Sequence, residues 1–254
     1  MSKWRHRVRY LFQLPFTYRN WWAVLLPKLG TGVVLELKDG AKYLVRARST
    51  DLSVINEATM FNPYFGSGHI KLAADSVVLD VGANIGDLAV QLGRSCSRGR
   101  VYTVEPVSEN MNMIRIQTLL NGIGNVVMIK AALGGAEGEV EINTAGSRSS
   151  VHWGDNPGEK VEKVRCTTLA TVMQEQGIEK LDLLKLDCEG AEWEIFPTSE
   201  ALLPRIRQIC MEYHSTKEWN QVRLAEWLRA RGYEVWYTGD AKTWNGLLWA
   251  VRKA

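Results

Sequence analysis

From Ser76 onwards the sequence alternates between short, β-rich apolar runs and longer segments of helical composition. In chain order the runs are SVVLDV, RVYTVEP, NVVMIKAAL, KLDLLKLD and RQICMEY. Strands that alternate with helices pair in parallel and place the helices on both faces of the sheet. The runs GEVEINTA and EKVRCTTL predict a strand pair inserted after the third parallel strand, and YEVWYT and GLLWAVR predict a closing pair. The sequence therefore predicts an α/β protein with a Rossmann-like, doubly wound, mostly parallel sheet.

Residues 1–70 have a different pattern, which predicts an N-terminal helical arm, a hairpin and a lead-in helix ahead of a main domain at 71–254. Two short helices are expected in the first 30 residues, divided near Pro15 and ended near Pro27. VVLELKDGAKYLVRA predicts a hairpin, because its Asp-Gly pair is a tight-turn signal between two β-rich runs. A helix running to about Phe61 is expected next, capped by Ser49, Thr50 or Asp51.

The composition is that of an ordinary folded protein, since 46% of the 254 residues are hydrophobic. The four cysteines are scattered and form no C-x-x-C pair. This spacing argues against a zinc site or a disulfide framework and favours a reducing, cytoplasmic compartment. No apolar run approaches the roughly 18 to 20 residues that span a bilayer, and the basic N-terminus lacks the pattern of a secretory signal.

Positive charge is concentrated at the N-terminus. Six cationic residues precede the first acidic residue, Glu36, and seven aromatic residues lie among them. Mixed cations and aromatics are typical of a helix on an anionic membrane surface, so residues 1–28 are a candidate for peripheral membrane contact. The alternative is an arm that packs on its own domain or on a partner subunit. Because the basic charge is confined to this arm and no recognition motif accompanies it, a nucleic acid partner is not expected.

The segment VVLDVGANIGD follows the pattern of a strand that ends in a ligand-binding turn. Gly82 and Gly86 allow a sharp turn, and the next helix directs its first N–H groups at the ligand. Glu105 ends the following strand, where a ribose-binding carboxylate belongs. A nicotinamide enzyme fits less well, because the third glycine of the motif is missing and Asp80 would face a pyrophosphate. Asp80 suits a cofactor with a positive centre; the alternative is a capping aspartate with purely structural glycines.

The stretch LLKLDCEGAEWEIF places charges where a buried strand ends. Residues two apart on a strand share a face, so Lys185, Asp187 and Glu189 are expected on one side at the edge of the sheet. Lys185 has the alternative of a structural ion pair with Asp187. Glu192 is equally consistent with a site and with the favourable charge at a helix start, whereas Glu194 is expected to be only a helix residue.

Five ordered motifs carry a resemblance to a known family: VVLDVGANIGD, VYTVEP, LLNGIGNVVMIKAALG, LDLLKLDCEGAEWEIF and CMEYH. In order and spacing they resemble the FkbM-type S-adenosylmethionine-dependent methyltransferases, which have the class I methyltransferase fold. The resemblance covers roughly Arg46 to His214, including the lead-in RARSTDLSVINEATMFNPYF. It implies a seven-stranded sheet with one antiparallel strand, and S-adenosyl-L-methionine as cofactor.

The resemblance also implies roles for individual residues. Glu105 would accept hydrogen bonds from the ribose hydroxyls, with Pro106 and Asn110 shaping the adenosine side. Ala131 and Ala132 would lie beside the adenine ring. The loop beside the methionine part would comprise Asp80, Gly82, Asn84 and Gly86. Closure over the cofactor or substrate is the role implied for Asp51 and Glu57.

Methyl transfer to an alcohol needs a base for the hydroxyl proton. The candidates are Asp187, Glu189 and His214, with Glu212 orienting the histidine. Lys185 would influence the ionisation of the carboxylates or hold the acceptor oxygen. Asp187, Glu189, Glu212 and His214 also have the oxygen and imidazole atoms that magnesium or manganese binds, but their spacing matches no fixed metal motif, so no metal is predicted.

The resulting hypothesis is an O-methyltransferase whose acceptor is a hydroxyl of a sugar in a glycan or glycolipid, or of another secondary metabolite. Two alternatives remain, an NAD(P)-dependent oxidoreductase and a non-catalytic cofactor-binding module. The oligomeric state does not follow from the sequence.

Overall fold

The computed structural model describes residues 13–143, 161–188, 190–216 and 218–253. Its strands are β1 Val33–Glu36, β2 Lys42–Val45, β3 Val77–Val81, β4 Arg100–Val104, β5 Val126–Ile129, β6 Ala132–Leu133, β7 Gly138–Asn143, β8 Val161–Thr167, β9 Leu183–Leu186, β10 Gln208–His214, β11 Tyr233–Tyr237 and β12 Asn245–Arg252. Its α-helices are α1 at 13–17, α2 Asp51–Asn56, α3 Asp87–Ser95, α4 Ser108–Leu120, α5 Leu169–Glu175, α6 Glu192–Thr198 and α7 Gln221–Arg229. Two 3₁₀ helices, Trp21–Leu29 and Glu200–Arg205, and one π-helical turn, Glu57–Phe61, complete the described elements.

Seven strands form the central sheet in the order β11-β12-β10-β9-β3-β4-β5. β12 runs antiparallel to both of its neighbours, β10 and β11. The other pairs in the sheet are parallel. The predicted α/β class, with seven strands of which one is antiparallel, is therefore confirmed.

The central sheet is buried on both faces. Neighbouring residues of β3 belong to different clusters, since Leu79 packs with α5, α6 and α7 whereas Val78 packs with α3 and the lead-in region. The same alternation separates Leu184 from Leu183 on β9. Adjacent side chains of a strand point to opposite faces, and this is why the central strands are apolar runs without polar alternation.

A separate three-stranded sheet has the order β6-β8-β7 and carries the predicted inserted pair, β7 and β8, in antiparallel register. The prediction of one continuous strand over NVVMIKAAL is wrong. β5 ends at Ile129, level with the last residue of its partner β4, and the residue after β4, Glu105, still donates its backbone N–H to the Ile129 carbonyl at 3.1 Å. Ala132 and Leu133 instead pair in parallel with β8.

The N-terminal hairpin forms as predicted, with Val33–Glu36 antiparallel to Lys42–Val45. Pro15 does not divide the helices as expected, whereas the second helix does end near Pro27, at Leu29. Pro15 lies inside α1, and Pro27 lies inside the 3₁₀ helix. Pro15 is the third described residue of α1, and Pro27 lies two residues before the 3₁₀ helix ends, so neither proline interrupts its helix. The first part of the predicted arm, residues 1–12, falls outside the described residues.

The lead-in helix begins at Asp51 and changes to a π-helical turn at Glu57, which ends at Phe61 as expected. Its capping residue, Thr50, makes no side-chain cap hydrogen bond. The hydroxyl of Ser49 instead accepts a hydrogen bond from the Asp51 amide at 3.2 Å.

The N-terminal elements share a hydrophobic cluster with the main sheet's helices. Tyr18, Tyr43 and Ile55 are fully buried and pack in one cluster with Val90 of α3 and Met113 of α4. The Tyr43 hydroxyl donates a hydrogen bond to the backbone carbonyl of Asp87 at 3.0 Å. From residue 13 on, the arm and hairpin thus cover α3 and α4, and the boundary at residue 70 stays a prediction.

Candidate active site

A cleft of about 500 Å³ lies at the carboxyl ends of the central parallel strands. The residues that line it follow the ends of β3, β4 and β9, at Val81, Val104 and Leu186. One further wall comes from the α2 region and another from the segment before β12. This is the edge where open α/β sheets bind their ligands.

The glycine-rich turn after β3 is held by left-handed backbone conformations. The φ angles are 72° at Gly82, 49° at Asn84 and 84° at Gly86. A Cβ atom on Gly82 would lie 1.9 Å from the backbone carbonyl oxygen of Asp187. Gly82 is therefore required where the turns after β3 and β9 meet, and Gly82 and Asn84 both line the cleft.

Gly86 has a different place from the one that the resemblance implies. It precedes α3 and does not line the cleft. A Cβ atom at Gly86 would be 3.0 Å from the Cα atom of Ile114, so the absence of a side chain lets α3 and α4 approach each other.

Glu105 is almost completely buried, with 3% of its surface exposed, and it lines the cleft. It accepts hydrogen bonds from the amides of Asn84 at 2.9 Å and Val107 at 3.0 Å, and from the side-chain amide of Asn110 at 3.1 Å. Burial raises the pKa of Glu105 to about 7 although these hydrogen bonds favour its charged form. Asn110 does not reach the cleft itself, and holds the carboxylate that does.

The far end of the cleft beyond Glu105 is apolar. Pro106, Ala131 and Ala132 line it, as the resemblance implies for the adenosine side. Leu133 and Ile142 complete this wall, and sequence reasoning did not identify them. Ile142 belongs to β7 of the inserted sheet, so no pattern near the motifs would have indicated it.

Asp80 and Lys185 form a buried ion pair at the centre of the sheet. They lie opposite each other in the register of β3 and β9, with 3.2 Å between the Lys185 Nζ and the Asp80 carboxylate. Lys185 Nζ also donates to the carbonyls of Val81 at 3.2 Å and Gly82 at 2.9 Å.

Burial dominates the electrostatics of this pair. Burial raises the pKa of Asp80, and the Lys185 ammonium opposes that rise. Burial works against the charged ammonium, but the carboxylates of Asp80, Asp187 and Asp87 outweigh it and hold the pKa of Lys185 above its ordinary value. Lys185 is therefore a charged side chain whose bonds join β9 to the end of β3 and to the glycine turn at the base of the cleft.

Asp187 lies just past β9 and faces the cleft with a partly exposed side chain. Its carboxylate accepts a hydrogen bond from the Tyr64 hydroxyl at 2.9 Å, and it lies 3.9 Å from Lys185 Nζ. Tyr64 is buried, and its own carbonyl accepts from the Trp249 indole at 2.7 Å. Sequence reasoning missed Tyr64, whose only signal was its place in the lead-in motif.

His214 lies at the end of β10 between two carboxylates. Its Nδ1 is 3.5 Å from Glu192, and its Nε2 is 4.0 Å from Glu212. The expected partner, Glu212, also accepts a hydrogen bond from the Asn245 side chain at 3.0 Å. The backbone carbonyl of His214 accepts from the Trp193 indole, which ties the strand end to α6.

Glu192 is fully buried at the start of α6. Its carboxylate accepts hydrogen bonds from the amides of Cys188 at 2.9 Å and Gly190 at 3.0 Å. Because Glu192 also contacts His214, its role goes beyond the favourable charge of a carboxylate at a helix start. Glu194 is exposed on the same helix. Glu189, a predicted base, falls outside the described residues.

Of the two lead-in residues, Glu57 lines the cleft and Asp51 does not. Asp51 is 1% exposed, and its carboxylate binds the Arg46 guanidinium at 2.7 and 2.9 Å. The closing role implied for Asp51 stays a prediction, and in this structure both of its carboxylate oxygens bind Arg46.

Two further features of the cleft were not predicted from the sequence. Asp87 lines it from the first residue of α3, and burial raises the pKa of Asp87 to about 7, against the opposing charge of Lys185. At its mouth lies Trp244, which is 68% exposed.

Metal ligands and membrane-spanning helices were also considered from the sequence. In the described ranges, no group of three or more histidine, cysteine, aspartate or glutamate side chains is arranged to hold a metal ion. None of the helices in the same ranges is long and apolar enough to cross a membrane.

Comparisons with known proteins agree with this architecture. The family profile described as the methyltransferase FkbM domain matches residues 80–235. A relative from Pseudomonas aeruginosa, the AMB antimetabolite synthetase AmbE, is 28% identical over 214 residues, which cover 68% of this chain and 10% of that protein. The crystal structure of an FkbM methyltransferase from Methylobacillus flagellatus KT superposes with a TM-score of 0.54 at 16% identity, covering 74% of this chain and 47% of that one.

The chain thus spans about a tenth of the curated relative and less than half of the solved structure. The likeness to the solved structure shows the fold, whereas the profile extends over more than half of the chain and shows the family. The chain belongs to the FkbM methyltransferase family.

Proposed function

We propose that the protein is an S-adenosylmethionine-dependent O-methyltransferase that acts on a hydroxyl of a sugar, in a glycan, a glycolipid or another secondary metabolite. The observation that carries this proposal is a cleft with two chemically different ends. Glu105 and the apolar wall lie at one end, and Asp187, Glu212 and His214 lie at the other.

The cofactor fits the residues that are present. A cleft of about 500 Å³ lies within the usual range for a small-molecule site, roughly 300 to 1,000 Å³. Glu105 has a buried carboxylate that can accept from a ribose, and Ala131, Leu133 and Ile142 offer an apolar surface to an adenine. When bound, S-adenosylmethionine supplies a methyl group on a positively charged sulfur.

The charge of the cleft suits a cationic cofactor. Lys185 is the one lysine or arginine among its described lining residues. The lining carboxylates are Glu57, Asp80, Asp87, Glu105, Asp187 and Glu212. An excess of carboxylates in a partly desolvated site attracts positive charge and disfavours the pyrophosphate of a dinucleotide. This balance favours S-adenosylmethionine over a nicotinamide cofactor.

The proton of the acceptor hydroxyl goes to His214. Glu192 and Glu212 face its two ring nitrogens, and their charges stabilise the imidazolium that forms when the ring takes a proton. Asp187 is held by Tyr64 and accepts a hydrogen bond from the hydroxyl, which orients the nucleophile. Lys185 acts through Asp187 and the glycine turn, because its contacts are with protein groups.

A sugar acceptor is supported by the mouth of the cleft. Trp244 offers a large, exposed aromatic face there, beside Asn245 and Glu212. The C–H face of a pyranose packs on such a ring, while neighbouring amide and carboxylate groups bind its hydroxyls. This grouping is more specific for a polyhydroxylated acceptor than for a flat aromatic alcohol.

The decisive experiment incubates the protein with isotope-labelled S-adenosylmethionine and a panel of sugars, glycolipids and phenols, followed by mass spectrometry. We expect the labelled methyl on a sugar hydroxyl. Trp244→Ala should raise the acceptor KM while leaving S-adenosylhomocysteine affinity unchanged.

Two results would overturn the proposal. A thermal shift with NAD(P) but none with S-adenosylhomocysteine would point to the oxidoreductase alternative. Tight binding of S-adenosylhomocysteine without transfer to any acceptor in the panel would favour a non-catalytic module.

A further inference from the structure

An unusual density of large apolar side chains is exposed between residues 16 and 29. The exposed fractions are 81% for Phe16, 47% for Trp21, 61% for Trp22, 59% for Leu25 and 75% for Leu29. These five residues, called the N-terminal apolar patch below, fall within 14 consecutive positions. Large exposed apolar side chains gathered in one segment are a candidate interaction surface.

The geometry of the 3₁₀ helix explains how this surface is held. A 3₁₀ helix has three residues per turn, so Trp22, Leu25 and Lys28 lie in one row along its outer side. Ala23 and Val24 are buried in the cluster beneath. The inner side of the helix thus packs on the hydrophobic cluster, and the outer side exposes Trp22 and Leu25 to solvent.

The charges around the patch are positive. Lys28 lies in the exposed row, and Arg19 lies between Phe16 and Trp21. The exposed Arg48 has its guanidinium beside Gly30, at the end of the same helix. The sequence places no acidic residue before Glu36, which pairs with Arg19 at 3.4 Å. Apolar side chains with Lys28 and Arg48 beside them complement a surface with an apolar interior and negative headgroups.

We propose that the N-terminal apolar patch docks the protein on an anionic lipid surface. A tryptophan prefers the headgroup boundary, where its ring is apolar and its indole N–H remains hydrated. A second copy of the chain is the competing occupant, and it fits less well. A symmetric contact through the patch would bring the cations of both copies together, and these like charges would repel each other. An anionic bilayer would attract the same cations.

The test uses the full chain with two types of phosphatidylcholine vesicle, one pure and one containing about a third phosphatidylserine, in a flotation assay. We expect binding to the anionic vesicles that weakens with salt. Trp22→Ser with Leu25→Ser should lower the partition coefficient by about tenfold or more. Lys28→Glu should lower it by about tenfold on anionic vesicles.

Matched controls come from exposed positions elsewhere. Leu119→Ser removes a similar apolar side chain, which is 73% exposed on α4. Lys180→Glu reverses an exposed charge. Both should bind vesicles like the parent. The thermal shift with S-adenosylhomocysteine, compared between parent and patch variant, checks that the fold and cofactor end are unaffected.

Three outcomes would overturn the proposal. The parent protein could fail to float with anionic vesicles, or the patch variant could float as well as the parent. A third outcome is concentration-dependent dimerisation in analytical ultracentrifugation that the patch variant abolishes, without vesicle binding by the parent. That result would assign the patch to a second copy of the chain.

Discussion

Glu105 combines nearly complete burial with a position on the cleft, and this combination makes its ionisation sensitive to a ligand. Burial raises its pKa to about 7. In the proposed function the charged carboxylate accepts from two ribose hydroxyls, so cofactor binding would favour ionisation. Above pH 7 the Glu105 carboxylate is already charged and can accept these hydrogen bonds. Below pH 7 the binding reaction must first remove a proton, and affinity falls.

We expect S-adenosylhomocysteine affinity to decrease below pH 7, approaching about tenfold per pH unit. Isothermal titration calorimetry between pH 5.5 and 8 measures it. Asp87 has a pKa that burial also raises to about 7, so Glu105→Gln is the necessary comparison. The variant should bind more weakly and lose most of the pH dependence. Equal affinity of the parent at pH 5.5 and pH 8 would contradict the assignment.

His214 and Glu192 offer a second test at this scale. His214→Ala should reduce kcat by about 100- to 10,000-fold, the usual contribution of a general base, with little change in cofactor affinity. Glu192→Gln should reduce kcat less and alter its pH profile, because it keeps the shape but removes a charge that faces the imidazole.

The matched control for Glu192 is Glu194→Gln, an exposed change two residues away on the same helix. It should leave kcat unchanged. Parent-like kcat in His214→Ala would show that the base lies elsewhere, with Asp187 the next candidate.

At the scale of elements, β3 and β9 are joined by side chains as well as by their backbone ladder. The buried Lys185 bridges the Asp80 carboxylate and two carbonyls of the turn after β3. Removing one member of a buried pair leaves the other charge without compensation, whereas removing both does not.

Lys185→Met should therefore lower the free energy of unfolding by about 3 to 5 kcal/mol. The double change Asp80→Asn with Lys185→Met should recover part of that loss. Urea denaturation of the parent, both single variants and the double variant measures the coupling. A double variant whose loss equals the sum of the two single losses would mean that the pair contributes no coupling to the fold.

The contact between the turns after β3 and β9 gives a steric prediction. Gly82→Ala introduces a Cβ atom 1.9 Å from the Asp187 carbonyl at a φ of 72°. Gly122 has a similar φ of 63°, but nothing lies within 4 Å of the position that an added methyl group would take, so Gly122→Ala isolates the backbone strain. We expect a loss of about 1 to 2 kcal/mol for Gly122→Ala. The loss for Gly82→Ala should be clearly larger in the same denaturation assay. Equal losses would refute the clash.

At the scale of the whole molecule, the N-terminal elements and the main sheet share a core. Tyr43 of the hairpin is fully buried, and its hydroxyl donates to the carbonyl of Asp87 on α3, a residue of the cleft. Tyr18 packs in the same cluster, and its hydroxyl donates to Asn56 at 2.7 Å. Loss of the hairpin would leave Val90 and Met113 uncovered.

Tyr43→Ala should cost about 3 to 5 kcal/mol, the usual range for truncating a large buried aromatic side chain. Differential scanning calorimetry should show one transition at a lower temperature, because the cluster spans both parts of the chain. Tyr43→Phe is the control, since it removes only the hydroxyl and should cost much less. Two transitions, of which only one shifts, would instead support independent units divided near residue 70.

Much of the sheet could be predicted from the sequence, because strand length, apolar runs and turn glycines are local properties. The strand break at Ile129 could not, since it depends on where pairing with β4 ends and pairing with β8 begins. The cleft residues that follow the strands, such as Glu105 and Asp187, could be predicted because parallel strands bring their carboxyl ends to one edge.

The residue types along the strands and turns are read directly from the sequence: apolar strand runs, glycines at the first turn, and charges at the later strand ends. The partners of these residues depend on the folded chain. Tyr64 holds Asp187 across 123 positions, and Asp80 pairs with Lys185 through strand register. Glu192, at the start of α6, lies 3.5 Å from His214, at the end of β10. The physical reason is that side-chain type and local backbone preference are encoded residue by residue. A contact between distant residues depends on register and packing, and a shift of one residue in register exchanges the faces of a strand.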